Sequence, residues 1–156
     1  MKASENMDIT KFNTISFALE GVLTDEFNGD NNPYKEEMQN LLKECFKHDK
    51  KVTIFSRRYS PETETYKSAG YSKAKKLNDK NKNEHIFSDK LIREIIGDNT
   101  VTVIYSNREP FFYSMDSRFS NHCHFDSSDF EKVLINENFG DLIKVFNITK
   151  DNYNEN

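Results

Sequence analysis

Hydrophobic positions fall along this chain in short blocks of two kinds. Thr14-Ile15-Ser16-Phe17-Ala18-Leu19 is a compact apolar run stopped by Gly21. Lys51-Val52-Thr53-Ile54-Phe55 and Thr100-Val101-Thr102-Val103-Ile104-Tyr105 are β-branched runs of similar length. Runs of this size, bounded by turn residues, predict buried strands. Other blocks carry helical spacing. Met38, Leu41, Leu42, Cys45 and Phe46 recur every three or four residues, and Pro33 suits a first helical turn, so a helix is predicted from Pro33 to Lys47. Ser60-Pro61-Glu62 caps a second helix to about Ala69, with Gly70 as its stop. Ser88-Asp89-Lys90-Leu91 opens a third through Ile96, closed by Gly97-Asp98-Asn99. Phe111 to Phe119 predicts a short helix, and Phe130 to Val145 a last helical stretch interrupted near Gly140. His85-Ile86-Phe87 reads as a short edge strand, His122-Cys123-His124-Phe125 as a weak strand, and Lys150 to Asn156 as a frayed polar tail.

Strands separated by helix-length segments imply βαβ units and a mostly parallel sheet. The predicted fold is therefore α/β, a Rossmann-like three-layer sandwich with minimal or no cap. The 156 residues make one domain, 12–148, with an N-terminal extension 1–11 and a polar C-terminal tail 149–156. Ligands of such sheets sit beyond the carboxyl ends of the strands. Attention falls on Ala18 to Glu20, Ser56 to Arg58 and Ser106 to Glu109.

Composition narrows the partners. Aromatic residues reach 13%, enough for a core in a chain only 35% hydrophobic and 31% charged. A net charge of -4 argues against a general nucleic-acid or anionic-membrane binder. No apolar run approaches the roughly 20 residues of a membrane span, and the first residues lack the apolar core of a secretory signal. Two cysteines, Cys45 and Cys123, form no disulfide framework, so a reduced cytoplasmic setting is expected. Residues 71–83 are basic and poor in apolar side chains; they read as a solvated helix or loop, with a docking face for an acidic partner as the alternative.

Ile15-Ser16-Phe17-Ala18-Leu19-Glu20-Gly21-Val22-Leu23-Thr24-Asp25 resembles the first motif of the haloacid dehalogenase-like (HAD-like) superfamily, a strand ending in Asp-x-Asp-Gly-(Val/Thr)-Leu-Thr. Gly-Val-Leu-Thr-Asp matches, but the two aspartates do not: Ala18 stands at the nucleophile position and Glu20 at that of the general acid/base. Val52 to Arg58 resembles the second motif, with Ser56 as the phosphate-binding hydroxyl. Lys90 resembles the third-motif lysine. Val101 to Pro110 resembles the fourth, whose paired acids are replaced by Ser106 and Asn107, with Glu109 displaced. The resemblance covers residues 12 to 128, and its outline is closest to small phosphatases with a minimal cap.

The resemblance implies a family whose first carboxylate attacks phosphorus and also ligates Mg2+, a cation that demands oxygen ligands. Alanine does neither. The Mg2+ site is therefore expected to be lost, leaving no cofactor, and Glu20 is a candidate acid/base remnant, with Glu109 as a displaced carboxylate that could act beside it. The turn at Leu19 and Glu20, the Ser56 hydroxyl and the Lys90 ammonium form a candidate phosphate-binding remnant; the alternative is that Ser56 caps a turn and Lys90 is a solvated charge. His122 and His124 share one strand face with Cys123 on the other, which falls short of the usual four-ligand zinc set; strand packing and surface histidines are the simpler reading. Cys45 is expected in the core. Phe111-Phe112-Tyr113 is either the core face of a helix or a partner patch.

The expected function is a catalytically inactive, pseudophosphatase-like binding or protein-interaction module. Its partner would be a protein or a phosphorylated small molecule. The alternatives are an atypical phosphohydrolase or nucleotidase using Glu20, and a structural scaffold subunit of a larger assembly.

Overall fold

The computed structural model describes residues 8–25, 32–56, 74–77, 87–104, 121–127, 129–148 and 153–155. The predicted helices at 60–69 and 111–119, the strand-end residues Arg57, Arg58 and Ser106 to Glu109, and the Phe111-Phe112-Tyr113 run lie outside them. Seven strands form one sheet: β1 (Thr14–Ala18), β2 (Lys51–Phe55), β3 (Ala74–Leu77), β4 (Val101–Ile104), β5 (His122–Asp126), β6 (Ile143–Ile148) and β7 (Tyr153–Glu155). Their spatial order is β3-β4-β2-β1-β5-β6-β7. The five inner strands β4, β2, β1, β5 and β6 are parallel, while β3 and β7 pair antiparallel at the two edges. With the helices α1 (Lys35–Lys47), α2 (Phe87–Ile96) and α3 (Asp129–Phe139), this is an α/β Rossmann-like fold.

The sequence of connections explains the order. From β1 the chain steps outward through β2 to β4, then returns to the other side of β1 for β5 and β6. The direction of winding therefore reverses between β1 and β5, and parallel sheets open a crevice at such a reversal. β1 is the axis of the sheet, and all but its first residue are buried, as a strand covered on both faces requires.

The two faces differ in chemistry. Side chains alternate along each strand, and the parallel register carries the alternation across the sheet. One face presents Ile15, Phe17, Val52, Ile54, Val101, Val103, Cys123 and Phe125, packed with Met38, Leu41, Leu42 and Cys45 of α1 and Ile92 and Ile96 of α2. Phe17, Phe125 and Phe146 stack in a row across β1, β5 and β6, with ring centroids 5.1 and 5.0 Å apart. The other face is apolar at its flanks, where Phe55, Ile104, Ile143 and Val145 meet Ile135 of α3, with Phe139 packed against them. Its middle is polar, from Thr14 and Ser16 of β1 to His122, His124 and Asp126 of β5.

Several expectations are corrected. The stretch from Phe130 to Val145 is helical only to Phe139; Gly140, at φ 54°, ends α3 in the left-handed region, and Ile143–Ile148 is an inner strand. Within the basic stretch 71–83, Ala74–Leu77 is an edge strand rather than helix or loop. Phe87 opens α2 instead of closing an edge strand. The polar tail contains β7, paired with β6. His122–Asp126 is an entirely buried inner strand, with no surface histidines. Ile9, in the predicted extension, is buried in the main core.

Phe125 is the centre of the aromatic row, so Phe125→Ala is expected to lower stability by about 3–5 kcal/mol in urea unfolding. Val133→Ala, at a position 50% exposed on α3, is expected to change it by less than about 0.5 kcal/mol. Similar losses at the two positions would contradict the described packing.

Candidate functional site at the carboxyl edge of the sheet

The loop after β1 is built by one glycine and one asparagine. Glu20 (φ -70°, ψ 126°) and Gly21 (φ 79°, ψ -3°) have the angles of a type II turn, whose third position needs a residue tolerant of positive φ. The loop closes where the Thr24 N–H donates to Leu19 O at 3.1 Å. Asn32, 7% exposed, then clamps it. Its Nδ2 donates to the carbonyls of Gly21, Val22 and Thr24, each at 3.1 Å, and its Oδ1 accepts the Tyr34 N–H at 2.9 Å. The Asn32 N–H donates to Asp25, and Lys35 bonds the same carboxylate at 3.1 Å. The Asn32 N–H, and then Lys35, hold the Asp25 carboxyl below its usual range.

This clamp presents Ala18, Leu19 and Glu20 at the carboxyl end of β1. Ala18 is 1% exposed, and its methyl group is all the side chain there. The Glu20 carboxylate turns toward β2, where the Ser56 hydroxyl donates to its Oε2 at 3.0 Å. Ser56 is itself anchored by its N–H to Ile104 O on β4 at 3.0 Å. The structure thus brings together Leu19, Glu20 and Ser56. Lys90 stands exposed on α2. Ser106 and Asn107 follow β4, a strand separated from β1 by β2, and lie outside the described residues.

The strand beside β1 on the other side is β5, and it ends in a carboxylate the sequence reading did not single out. Phe17 pairs with Phe125, so one step further along Ala18 and Asp126 stand side by side. Asp126 is 1% exposed; its Oδ1 accepts the Ser127 N–H at 2.8 Å and its Oδ2 lies 2.7 Å from His124 Nε2. The Ser127 hydroxyl donates to the Glu20 carbonyl at 3.1 Å. The ends of β1, β2 and β5 are therefore tied by Glu20, Ser56 and Ser127.

Asp126 begins a row of buried polar contacts running back between β1 and β5. His124 Nδ1 lies 2.6 Å from Ser16 Oγ, Ser16 Oγ lies 2.7 Å from His122 Nε2, and His122 Nδ1 lies 2.6 Å from Thr14 Oγ1. Ser16 and His124 are 0% exposed. Burial, and to a lesser degree the neighbouring His124, pushes the His122 pKa down to about 3, so its ring is neutral at pH 7. Taking one proton on each ring and a carboxylate at residue 126, one arrangement satisfies all four of these contacts. Thr14 donates to His122 Nδ1, His122 Nε2–H to Ser16, Ser16 to His124 Nδ1, and His124 Nε2–H to Asp126.

Two chemical readings of this row fail on its geometry. Ser16, His124 and Asp126 are connected as in a Ser-His-Asp triad, but Ser16 lies fully buried in mid-strand, out of reach of any substrate. A zinc reading of His122 and His124 meets ring nitrogens already held by Thr14, Ser16 and Asp126, with Cys123 on the opposite face. Among the described residues no three His, Cys, Asp or Glu side chains come together as a metal site. The cysteines are buried thiols: burial raises Cys45 to about 12 and Cys123 well above its usual value. Neither supplies a thiolate near neutrality.

Among the described residues no helix is long and apolar enough to cross a membrane. Comparison with known proteins gave no match: none of the family models, curated proteins or solved structures corresponds to this chain.

The buried neutral His122 fixes a pH dependence. Its folded pKa, about 3, lies below the 6.5 of an ordinary histidine, so the unfolded chain takes up a proton that the folded chain refuses. Its contribution is fully present above about pH 6.5 and falls below it by about 1.4 kcal/mol per pH unit. Urea unfolding at pH 7.5, 6 and 5 should show this decline. His122→Gln should flatten it by about one proton's slope, and an equal slope in the two proteins would contradict the assignment.

Proposed function

We propose that this chain is a catalytically inactive member of the HAD-like superfamily, a pseudophosphatase domain that works as a protein-interaction module. One observation carries the reading: at the carboxyl end of the central strand, where the resemblance puts a nucleophilic aspartate, the side chain is the buried methyl group of Ala18. Phosphoryl transfer through an aspartyl-phosphate has no atom to begin on there.

The surrounding groups support the same conclusion. Mg2+ would need free carboxylate oxygens in near-octahedral geometry. Asp126 already spends one oxygen on the Ser127 N–H and the other on His124, and Glu20 Oε2 is taken by Ser56. The described residues do not fit the ion. The Ser56 hydroxyl, the remnant of an anion site, already donates to the chain's own carboxylate. A phosphorylated small molecule would have to displace Glu20 or approach it against like charge, which favours a protein partner. A net charge of -4 does not favour nucleic acid.

The second reading, an atypical phosphohydrolase, rests on Glu20. Its carboxylate reaches the edge of the sheet, yet it is held by Ser56 rather than poised against a water nucleophile, and it lies two residues beyond Ala18. The two readings part in one assay. Purified protein incubated with Mg2+ and p-nitrophenyl phosphate is expected to give no turnover above the buffer blank, with Glu20→Gln indistinguishable from it. Turnover that Glu20→Gln abolishes would overturn the inactive assignment.

A further inference from the structure

The row between β1 and β5 has a property that none of its members has alone. Ser16 has one hydroxyl proton and sits 2.7 and 2.6 Å from a nitrogen of each of two histidines. It can donate to only one of them, so at least one ring must donate to it and the two tautomers are not independent. We propose that Thr14, His122, Ser16, His124 and Asp126 form a one-proton switch, in which one proton gained by the Asp126–His124 pair reverses the direction of every hydrogen bond back to Thr14.

The two states balance by one proton. In the first, Asp126 is ionised, both rings carry their proton on Nε2, and the donors point from Thr14 toward Asp126. In the second, one solvent proton has been added to the Asp126–His124 pair. If it rests on Asp126, that group donates to His124 Nε2 and His124 carries its own proton on Nδ1. If it rests on His124, both nitrogens of that ring are protonated. Either way His124 Nδ1–H now donates to Ser16, Ser16 donates to His122 Nε2, and His122 Nδ1–H donates to Thr14. No covalent bond other than N–H and O–H is made or broken. His122 changes tautomer while remaining neutral, in keeping with its burial.

Among the described residues, β6 presents Ile143 and Val145 to the face that carries the row, β2 presents Phe55, whose ring lies edge-on to His124 at 5.5 Å, and α3 presents Ile135 and Phe139. Among the described residues the charged groups nearest this face are three. Lys132 lies one turn before Ile135 on α3, Lys51 stands exposed at the start of β2, and Glu20 lies beyond Ser127. Lys144 of β6 pairs with Cys123 and so points to the opposite face. Through Ser127 and the Glu20 carbonyl, the switch ends at the carboxyl-edge site. Protonation beside Ala18 is thereby registered at half-buried Thr14, at the far end of the sheet.

Asp126→Asn tests this without any change of pH. The Ser127 N–H requires an oxygen at its side of residue 126, which leaves the amide nitrogen facing His124 Nε2. That nitrogen only donates, so the variant locks the second state while keeping the Ser127 and His124 contacts satisfied. Ring 15N shifts at pH 7.5 distinguish protonated from bare nitrogens. The expected result is Nε2–H on both rings in the native protein and Nδ1–H on both in the variant, including His122, three hydrogen bonds from the substitution. His124 reversing alone, or neither ring reversing, would overturn the proposal. Acidification of the native protein gives an independent reading. His122 is expected to change tautomer at the same midpoint at which the His124–Asp126 pair takes up its proton. A chain that takes up that proton, or unfolds, with His122 still protonated on Nε2 would equally contradict it.

Discussion

A serine hydroxyl held between two histidine rings in the middle of a parallel sheet has no access to water, and every contact it makes must be repaid by a matching donor or acceptor nearby. Ser16 is in that position, and the organisation around β1 follows from it. His122 and His124 must lie in register with Thr14 and Ser16, which fixes β5 against β1 on one face. On the other face the Phe17–Phe125–Phe146 stack fixes the same register through apolar contact. A slip of one residue would exchange the two faces, placing rings of phenylalanine against hydroxyls. Polar satisfaction and aromatic packing thus specify one alignment twice.

The same constraint shapes the carboxyl edge. Asp126 terminates the polar row, and its second oxygen and the following Ser127 bind it to the loop after β1. Glu20 extends the ties to β2 through Ser56. Acidic groups at this edge hold three strand ends together, and Ala18 between them carries only a methyl group. The edge has the layout of a ligand site and the hydrogen bonding of a structural joint, and the proposed interaction role rests on that combination.

Much of the scaffold was legible in the chain. Lys51–Phe55 and the Met38–Cys45 spacing announce a buried strand and an amphipathic helix because their apolar periods are unambiguous. Gly21 marks a turn that only positive φ can make, and Asn32 was hidden because an asparagine in a polar loop looks the same whether it clamps three carbonyls or faces water. β6 was obscured by Ile143, Val145 and Phe146 continuing the apolar spacing of α3 across Gly140; only the pairing with β5 shows that the period changes from helical to alternating. The pairing of His122 and His124 on one face could be read from alternation. Their burial could not, since it depends on Thr14 and Ser16, more than a hundred residues earlier, arriving in register. Asp126 escaped notice for the same reason: the sequence orders the strands, but only the reversal of winding shows that β5, not β4, borders Ala18.

The account stands on the claim that the histidine rings are sealed within the sheet and fully hydrogen-bonded. A proton NMR spectrum of the native protein at neutral pH tests this most directly, since ring N–H protons are seen only when burial slows their exchange with water. Two exchange-protected imidazole N–H resonances, one from His122 and one from His124, are predicted, both persisting under water presaturation. Their absence in the folded protein would show rings open to solvent and would contradict the buried row on which the arrangement of β1 and β5 depends.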